Sequence, residues 1–248
     1  GMVQNVPAGM SPGSEIANLS VMGYDPLRDF TGRSPLEALS VGVKMEDTDV
    51  VFRCNIVTLT EDEPYEEKTI VDHSSGEISS EDADILMDAV RAAFENECFR
   101  FYTGTSYRHV TVWDAGRVLD MEPPHDHLGE VIGAYLPTEP IFWGMMEKSF
   151  EILNNHPLNL ARAAKGENKG NSLWFWGAGT KPALQNFKDK TGLSGTMISA
   201  VDLLKGIAVG AGMGVASVEG ANGGLHTNYE GKTDAAIKAL LEDGYDFA

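Results

Sequence analysis

A serine at the start of a helix-like segment could carry out phosphoryl chemistry. Ser14 lies in the turn PGSE, just before residues 16–20 (IANLS). Free N–H groups and the positive end of the helix dipole would hold a phosphoryl group at such a place. Serine is also a preferred N-cap, although Ala17 stands where a capping box would have Glu. Ser14 could therefore accept phosphate or simply cap the helix, and Asn18, one turn on, could touch phosphoryl oxygens or face solvent.

Arginine and histidine side chains are candidates for binding an anionic substrate. A planar guanidinium can donate two hydrogen bonds to one phosphate or carboxylate. The candidates are Arg33 in TGRSP, Arg53 in FRCN, and Arg108 with His109 in SYRH. Strand neighbours point to opposite faces, so we expect one member of the Arg108–His109 pair to reach the substrate and the other to support it. Each arginine could instead be a surface charge.

Further polar motifs allow more than one interpretation. His125-Asp126-His127 has the HxH spacing that binds metals when it lies on a strand, but the prolines before it favour a loop. Lys205 is a further substrate candidate, three residues after Asp202, which could cap a helix or pair with it. The aromatic run at 174–176 (WFW) is interpreted as core packing.

The elements that must position these residues change along the chain. Residues 1–45 are rich in glycine and proline and predict loops joined by short helices. Residues 50–73 predict a meander or hairpin, and a helix capped by Ser80 follows. Two strands around a turn at 103–105 and a long helix over 141–153 complete an α+β segment.

The last third alternates between strand-like and helix-like segments. A buried strand at 172–179 precedes a short helix that begins with Pro182, then a strand and helix over 195–212, which suggests a parallel sheet. A final helix leads into residues that begin another strand at the chain end, which we interpret as an interruption rather than a natural terminus. The predicted class is α/β, with segments 1–45, 46–168 and 169–248.

Composition restricts the class of partner. The formal net charge of -18 and pI near 4.6 argue against nucleic acid, because binding a phosphate backbone needs clustered Lys and Arg. No apolar run is long enough to span a membrane, and Cys54 and Cys98 lack metal or disulfide spacing. These features favour a cytoplasmic protein. A phosphorylated acid would need local arginines to overcome the acidic field.

Several motifs together resemble one family. PGSEIANLSVMGYDP, TGRSPLEAL, VFRCNIVTL, FYTGTSYRHVTVW, PPHD, NSLWFWGAG, ISAVDLLKGI and TNYEGK stand in the order found in archaeal-type, cofactor-independent phosphoglycerate mutases of the alkaline phosphatase superfamily. The similarity covers nearly the whole chain, from about Pro7 to Phe247. It implies a phosphatase-like core with an inserted α+β lid.

The resemblance also implies roles for individual residues. Ser14 would be the nucleophile and a metal ligand, at a site with two divalent ions, Mn, Mg or Zn. Substrate contacts would come from Asn18, Arg33, Arg53, Arg108, His109, His125, Asp126 and Lys205. Asp72-His73 corresponds to a strand of the insertion and is interpreted as structural. The substrate would be phosphoglycerate, interconverted between its 3- and 2-phospho forms.

The family's other metal-binding segments are missing from this sequence. We therefore expect a central fragment that alone neither binds two metals tightly nor turns over phosphoglycerate. The oligomeric state stays open, although unpaired sheet edges could allow dimers. Two alternatives also stay open: a phosphotransferase resembling homoserine kinases, and a non-catalytic module that binds a phosphorylated acid.

Overall fold

The chain divides into two compact units. The computed structural model describes residues 4–10 and 12–248. Unit 1 consists of the described residues up to Met45 together with Lys181–Ala248, and unit 2 is Glu46–Thr180. The second boundary therefore lies after Thr180 rather than after residue 168. The reason is that the strand containing the aromatic run pairs with a strand of unit 2.

Helices and strands are numbered in chain order. The helices are α1 Ser14–Val21, α2 Pro26–Asp29, α3 Arg33–Ser40, α4 Ser80–Phe94, α5 Pro140–Asn154, α6 Pro157–Ala164, α7 Phe187–Thr191, α8 Asp202–Gly210 and α9 Tyr229–Leu241. The strands are β1 Val50–Leu59, β2 Ile70–Asp72, β3 Phe99–Tyr102, β4 Arg108–Trp113, β5 Ser172–Thr180, β6 Thr196–Ile198 and β7 Gly214–Ala216. Short 3-10 turns lie at Tyr65–Glu67, Pro124–Asp126 and Ile132–Ala134.

Unit 2 is built around β1, the central strand of an antiparallel sheet. β1 pairs with β4 and β5 along most of its length and with β2 at its far end, while β3 pairs with β4. All ten residues of β1 are buried, which suits its β-branched and apolar sequence VVFRCNIVTL. Alternation along this strand places Arg53 and Asn55 on one face and Phe52, Cys54 and Ile56 on the other.

Helices α4 and α5 belong to the same apolar core as this sheet. Leu86 and Met87 of α4 and Phe142 of α5 are fully buried with Phe52 and Phe175 of the sheet. The Phe142 ring lies 4.6 Å from Phe52 and 5.0 Å from Phe175, in tilted and edge-on geometry. These contacts fix the sheet from which the polar face projects.

Unit 1 has its own core, in which α3 packs on α8. Leu36, Leu203 and Ile207 are buried there with Leu19 of α1. β6 and β7 pair in parallel, and Phe247 makes a single parallel bridge to Gly195, the residue before β6. The carboxyl ends of these two parallel strands therefore meet at one edge of the unit.

The mixed α/β class is observed, with local differences from prediction. The β3–β4 hairpin and the long α5 are present, and Ser79 rather than Ser80 caps α4, accepting from Asp82 N. The short helix predicted from Pro182 begins only at Phe187, capped by Asn186. β5 is antiparallel to β1, so the parallel arrangement predicted for the last third is wrong for β5 and is seen for β6 and β7. Among the described residues, no helix combines the length and apolar character needed to cross a membrane.

Candidate functional site

Ser14 stands at the start of α1 with an exposed side chain. It is the first helical residue, and Gly13 is the N-cap, without a side-chain capping hydrogen bond. The interpretation of Ser14 as a cap is therefore wrong, because the cap position falls one residue earlier. Its hydroxyl lies at the helix end where backbone N–H groups lack intrahelical partners. That position favours a negatively charged group on the serine.

The neighbours of Ser14 form a helix-start cluster, defined as Ser14, Glu15, Asn18 and Arg33. Asn18 Nδ2 donates to the Ser14 carbonyl oxygen at 2.7 Å, so in this structure the amide binds the helix backbone. Arg33, the first residue of α3, contacts Glu15 Oε2 at 4.0 Å through Nη1. Its Nε also donates to Glu37 Oε1 at 2.9 Å. The structure thus brings three predicted residues, Ser14, Asn18 and Arg33, into one part of unit 1.

Carboxylates reduce the positive field of this cluster. The Glu15 side chain folds back over Gly13, where an added Cβ would lie 2.3 Å from Glu15 Oε1. Glu15 Oε2 is buried and accepts no hydrogen bond from the residues the structure describes. Arg33 therefore faces two acidic side chains, which hold its guanidinium in place and compete with any incoming anion.

Lys205 lines a separate pocket of unit 1. This pocket has a volume of about 230 Å³ and lies at the carboxyl ends of β6 and β7. Its wall includes Ser199 and Ser217, which follow the two strands, and the half-buried Lys205 from α8. The carboxyl edge of a parallel sheet is a common ligand-binding place in α/β folds. The family-like motif TNYEGK begins at a helix cap, since Asn228 Oδ1 accepts from Gly231 N at 2.8 Å at the start of α9.

Unit 2 presents a sheet-face cluster, defined as Arg53, Asn55, Arg108, His125 and Trp176. Arg53 and Asn55 alternate along β1, Arg108 of β4 stands opposite Asn55, and Trp176 of β5 stands opposite Arg53. Directly opposite residues share a face. The Arg53 guanidinium carbon lies 5.3 Å from the Trp176 ring centre, and Trp176 Nε1 donates to Asn55 Oδ1 at 3.2 Å. Arg108 is half-buried.

The PPHD segment adds His125 to this cluster. The His125 ring lies 5.3 Å from Trp176 and 6.0 Å from His73, edge-on in both pairs. Asp126, next in the turn, is mostly exposed, with its Oδ1 atom 3.8 Å from His125 Nε2. Both residues lie in a 3-10 turn, as the flanking prolines predicted, and not on a strand.

The HxH spacing does not produce a shared metal pair. His127 stacks on Tyr135 at 3.7 Å between ring centres and shares a 3.1 Å hydrogen bond with Glu130, whereas His125 faces Trp176. Throughout residues 4–10 and 12–248, no group of three or more His, Cys, Asp or Glu is arranged to hold a metal ion. The described residues therefore do not by themselves fit a two-metal site.

His109 is not placed for direct substrate contact, contrary to its predicted role. It stands opposite Cys54 on the other face of the sheet, is fully buried, and accepts from Gly104 N at 3.2 Å through Nδ1. Burial, and then the charges of Arg53 and Arg91, lower the pKa of His109 to about 3. The alternation expected for the pair is observed: Arg108 shares the face of Asn55, while His109 supports the sheet from inside as a neutral ring.

Three residues that sequence reasoning passed over contact or belong to the sheet-face cluster. Trp174 and Phe175 are almost fully buried, as core packing predicts, whereas Trp176 is half-buried, packs against the same core and also contacts polar side chains. His73 contributes its ring, and Asn55 links it to Trp176 by donating to the His73 carbonyl at 3.4 Å. The register of β1 against β5 was the missing signal. The structural interpretation suits Asp72, which accepts from Ser74 and Gly76 N–H groups in its own turn.

The geometry defines a mixed α/β protein with an exposed serine at a helix start in one unit and a sheet face that carries two arginines in the other. The sequence profile of 2,3-bisphosphoglycerate-independent phosphoglycerate mutase matches residues 1–159. The chain belongs to this family, in its archaeal type.

Two curated relatives and two solved structures are similar to the chain. The chain is 47% identical over 245 residues to the 2,3-bisphosphoglycerate-independent phosphoglycerate mutase of Methanosarcina acetivorans, covering 97% of the chain and 60% of the relative. A probable enzyme of the same name from Geobacter sulfurreducens is 44% identical, covering 99% of the chain and 62% of the relative. The cofactor-independent phosphoglycerate mutase of Thermoplasma acidophilum superposes with a TM-score of 0.57 at 26% identity, covering 95% and 63%. A solved Pyrococcus horikoshii structure superposes with a TM-score of 0.71 at 28% identity, covering 98% of the chain and 57% of that structure. The chain thus spans about three fifths of the length of these curated relatives.

Proposed function

We propose that the chain is the part of a phosphoglycerate mutase that carries the phosphoryl acceptor and binds the anionic acid. The observation that carries the proposal is that Ser14 is exposed at the first position of α1, where Gly13 and not Ser14 is the N-cap. Family membership supplies the substrate class, 3-phosphoglycerate and 2-phosphoglycerate. The fold proposed for the whole protein is a phosphatase-like core whose sequence is interrupted by unit 2.

The proposed reaction is a phosphoserine shuttle. The Ser14 hydroxyl loses its proton and Oγ forms a bond to phosphorus as the bond to the glycerate C3 oxygen breaks, and that oxygen takes up a proton. The C2 hydroxyl of the glycerate then loses its proton and its oxygen attacks phosphorus, which releases the serine oxygen to take up a proton again. No water enters the balance, so a closed site would favour mutase over hydrolysis. Unit 1 carries the acceptor in this scheme, and Lys205 is proposed as a contact for the anionic substrate.

Unit 2 is proposed to bind the acid by its sheet-face cluster. Arg53 and Arg108 supply guanidinium groups against a net charge of -18, and His125 with Asp126 adds polar contacts. His109 is proposed only to support this face from beneath. Two divalent ions belong to the proposal for the whole protein, where they would stabilise charge on the transferring group, with Ser14 as one ligand. A cytoplasmic location is proposed on the same basis, and nucleic acid and membrane are not proposed as partners.

Replacing Ser14 by Ala in the whole protein tests the acceptor. We expect interconversion of 3- and 2-phosphoglycerate, followed by phosphorus NMR, to fall by at least about a thousandfold, because the covalent intermediate can no longer form. Ser20→Ala, on the same helix, is the matched control and should keep the unmodified rate. A Ser14→Ala protein that remains an active mutase would remove the proposed nucleophile. Efficient phosphoryl transfer to homoserine by the unmodified protein would support the kinase alternative. Binding of phosphoglycerate without any phosphoryl transfer would support the non-catalytic alternative.

Replacing Arg108 by Gln tests the anion-binding face on the 248-residue chain itself. Loss of one guanidinium should weaken binding of 3-phosphoglycerate, measured by titration calorimetry, by about tenfold or more. Arg117→Gln is the matched control, since that side chain is exposed and pairs with Glu139. Equal affinities for the two variants would argue that the sheet-face cluster does not bind the acid.

A further inference from the structure

Trp176 lies between two residues of the proposed anion site. The guanidinium carbon of Arg53 is 5.3 Å from the centre of its ring, and the His125 ring is also 5.3 Å away, at an interplanar angle of 71°. A guanidinium at this distance from an indole is attracted by the electron-rich face of the ring. An imidazole standing edge-on fits the same charge distribution. One side chain therefore contacts a cation from β1 and an imidazole from the PPHD turn.

Hydrogen bonds fix the orientation of the Trp176 ring. Its Nε1 donates to Asn55 Oδ1 at 3.2 Å, and Asn55 Nδ2 in turn donates to the His73 carbonyl at 3.4 Å. The His73 ring then contacts His125 from the other side at 6.0 Å. The indole is thus part of a closed set of contacts that joins β1, β5, the end of β2 and the PPHD turn.

Trp174 shows that β5 holds the same turn at a second point. Its Nε1 donates to the Glu122 carbonyl at 2.8 Å, just before the two prolines. Trp174 is 1% exposed and belongs to the core, whereas Trp176 is half-buried. Trp174 therefore hydrogen-bonds the backbone of the segment before the PPHD turn, and Trp176 contacts the side chains of Arg53 and His125.

We propose that Trp176 is a positioning residue that holds the Arg53 guanidinium and the His125 imidazole in the geometry that receives a phosphorylated acid. The choice of ligand rests on the proposed function. The holding of the two side chains does not, because it follows from contacts within unit 2. A guanidinium that is already oriented loses less freedom when the anion binds, so the affinity gained comes from the fixed geometry as well as from the charge.

Three variants of the 248-residue chain separate positioning from general packing. Trp176→Leu removes both the aromatic face and the N–H donor, and Trp176→Phe keeps a face but loses the hydrogen bond to Asn55. Trp143→Leu is the matched control, because Trp143 lies on α5 and its side chain is 41% exposed. Each variant is first compared with the unmodified chain by thermal unfolding, so that loss of fold is recognised.

Two readouts are used. The first is the dissociation constant of 3-phosphoglycerate from titration calorimetry, which should rise about tenfold in Trp176→Leu, less in Trp176→Phe, and not in Trp143→Leu. The second needs no ligand: the ring-proton NMR signals of His125 should shift in Trp176→Leu, because the ring current of the indole is lost. If Trp176 served only packing, Trp176→Leu would lower the stability of the chain, and Trp176→Phe would not restore its affinity for 3-phosphoglycerate.

The two proposals fail in different ways. Unchanged His125 signals in Trp176→Leu would overturn the positioning role, whether or not the acid binds. The positioning role would also be overturned if the unmodified chain binds 3-phosphoglycerate and Trp176→Leu binds it with the same affinity. No binding by the unmodified chain would instead count against the proposed function, and the His125 signals would then decide the positioning role alone.

Discussion

Replacing Gly206 by Ala is expected to destabilise unit 1 by about 3 kcal/mol or more. Gly206 lies in α8, where that helix packs on α3, and a Cβ at this position would lie 1.6 Å from the Leu36 carbonyl oxygen. That oxygen belongs to the backbone and cannot rotate away. The two helices would have to separate, which loosens Leu203 and Ile207 in the core they share with Leu36. Urea unfolding followed by far-UV circular dichroism measures the loss.

Gly144→Ala provides the control for this result. Gly144 lies in α5, and nothing stands within 4 Å of the place its Cβ would occupy. Alanine there should stabilise the chain by up to about 1 kcal/mol, through helix propensity alone. Opposite signs for the two substitutions would show that close helix contact governs Gly206. A Gly206→Ala chain as stable as the unmodified one would mean that α3 and α8 pack less closely than described.

The free energy of unfolding is expected to fall steeply in mild acid because of His109. Burial, with Arg53 and Arg91 adding to it, lowers the pKa of His109 from 6.5 to about 3 in the folded chain. Below pH 6.5 the unfolded chain therefore binds a proton that the folded chain does not, and unfolding becomes more favourable as pH falls. The His109 contribution should reach about 2 kcal/mol between pH 6.5 and pH 5 and stop growing near the folded pKa.

Comparison with His109→Gln isolates this contribution. Paired carboxylates such as Asp29 and Glu61, whose pKa values are lowered by hydrogen bonds with Arg28 and Lys169, also favour unfolding as pH falls in the acid range. Glutamine can still accept from the Gly104 N–H but does not titrate, so its stability profile should be flatter over this pH range. His226→Gln, at an exposed position, should keep the original slope. Equal slopes for His109→Gln and the unmodified chain would show that another group causes the acid sensitivity.

Local patterns predicted much of the fold, and pairing partners explain what they missed. Strand alternation and the turn at 103–105 were enough for the β3–β4 hairpin, and apolar spacing was enough for α5. The partner of β5 was not predictable, because its pairing with β1 joins residues far apart in sequence. The boundary at 168 was wrong for that reason.

The residues of the candidate site could be predicted only in part, because residue type is visible in a sequence whereas pairing across a sheet is not. Ser14, Arg33 and Arg53 stand out by residue type and by their motifs. The role of Trp176 depends on which residue faces it across the sheet, and a hydrophobic run does not contain that information. The burial of His109 likewise depends on which face of β4 the helices cover, so alternation could predict two faces but could not say which one is inside.

The division of unit 1 into two chain segments sets the order in which the protein can fold during synthesis. Helix α3 ends at Ser40, but α8, its packing partner, begins at Asp202. At about 5–20 residues per second, the ribosome needs roughly ten to thirty seconds to make the intervening polypeptide. Unit 2 can complete its sheet once residue 180 has emerged, while the first segment must wait with its apolar side chains uncovered. The segment that contains α3 therefore stays without its packing partner until α8 has been made.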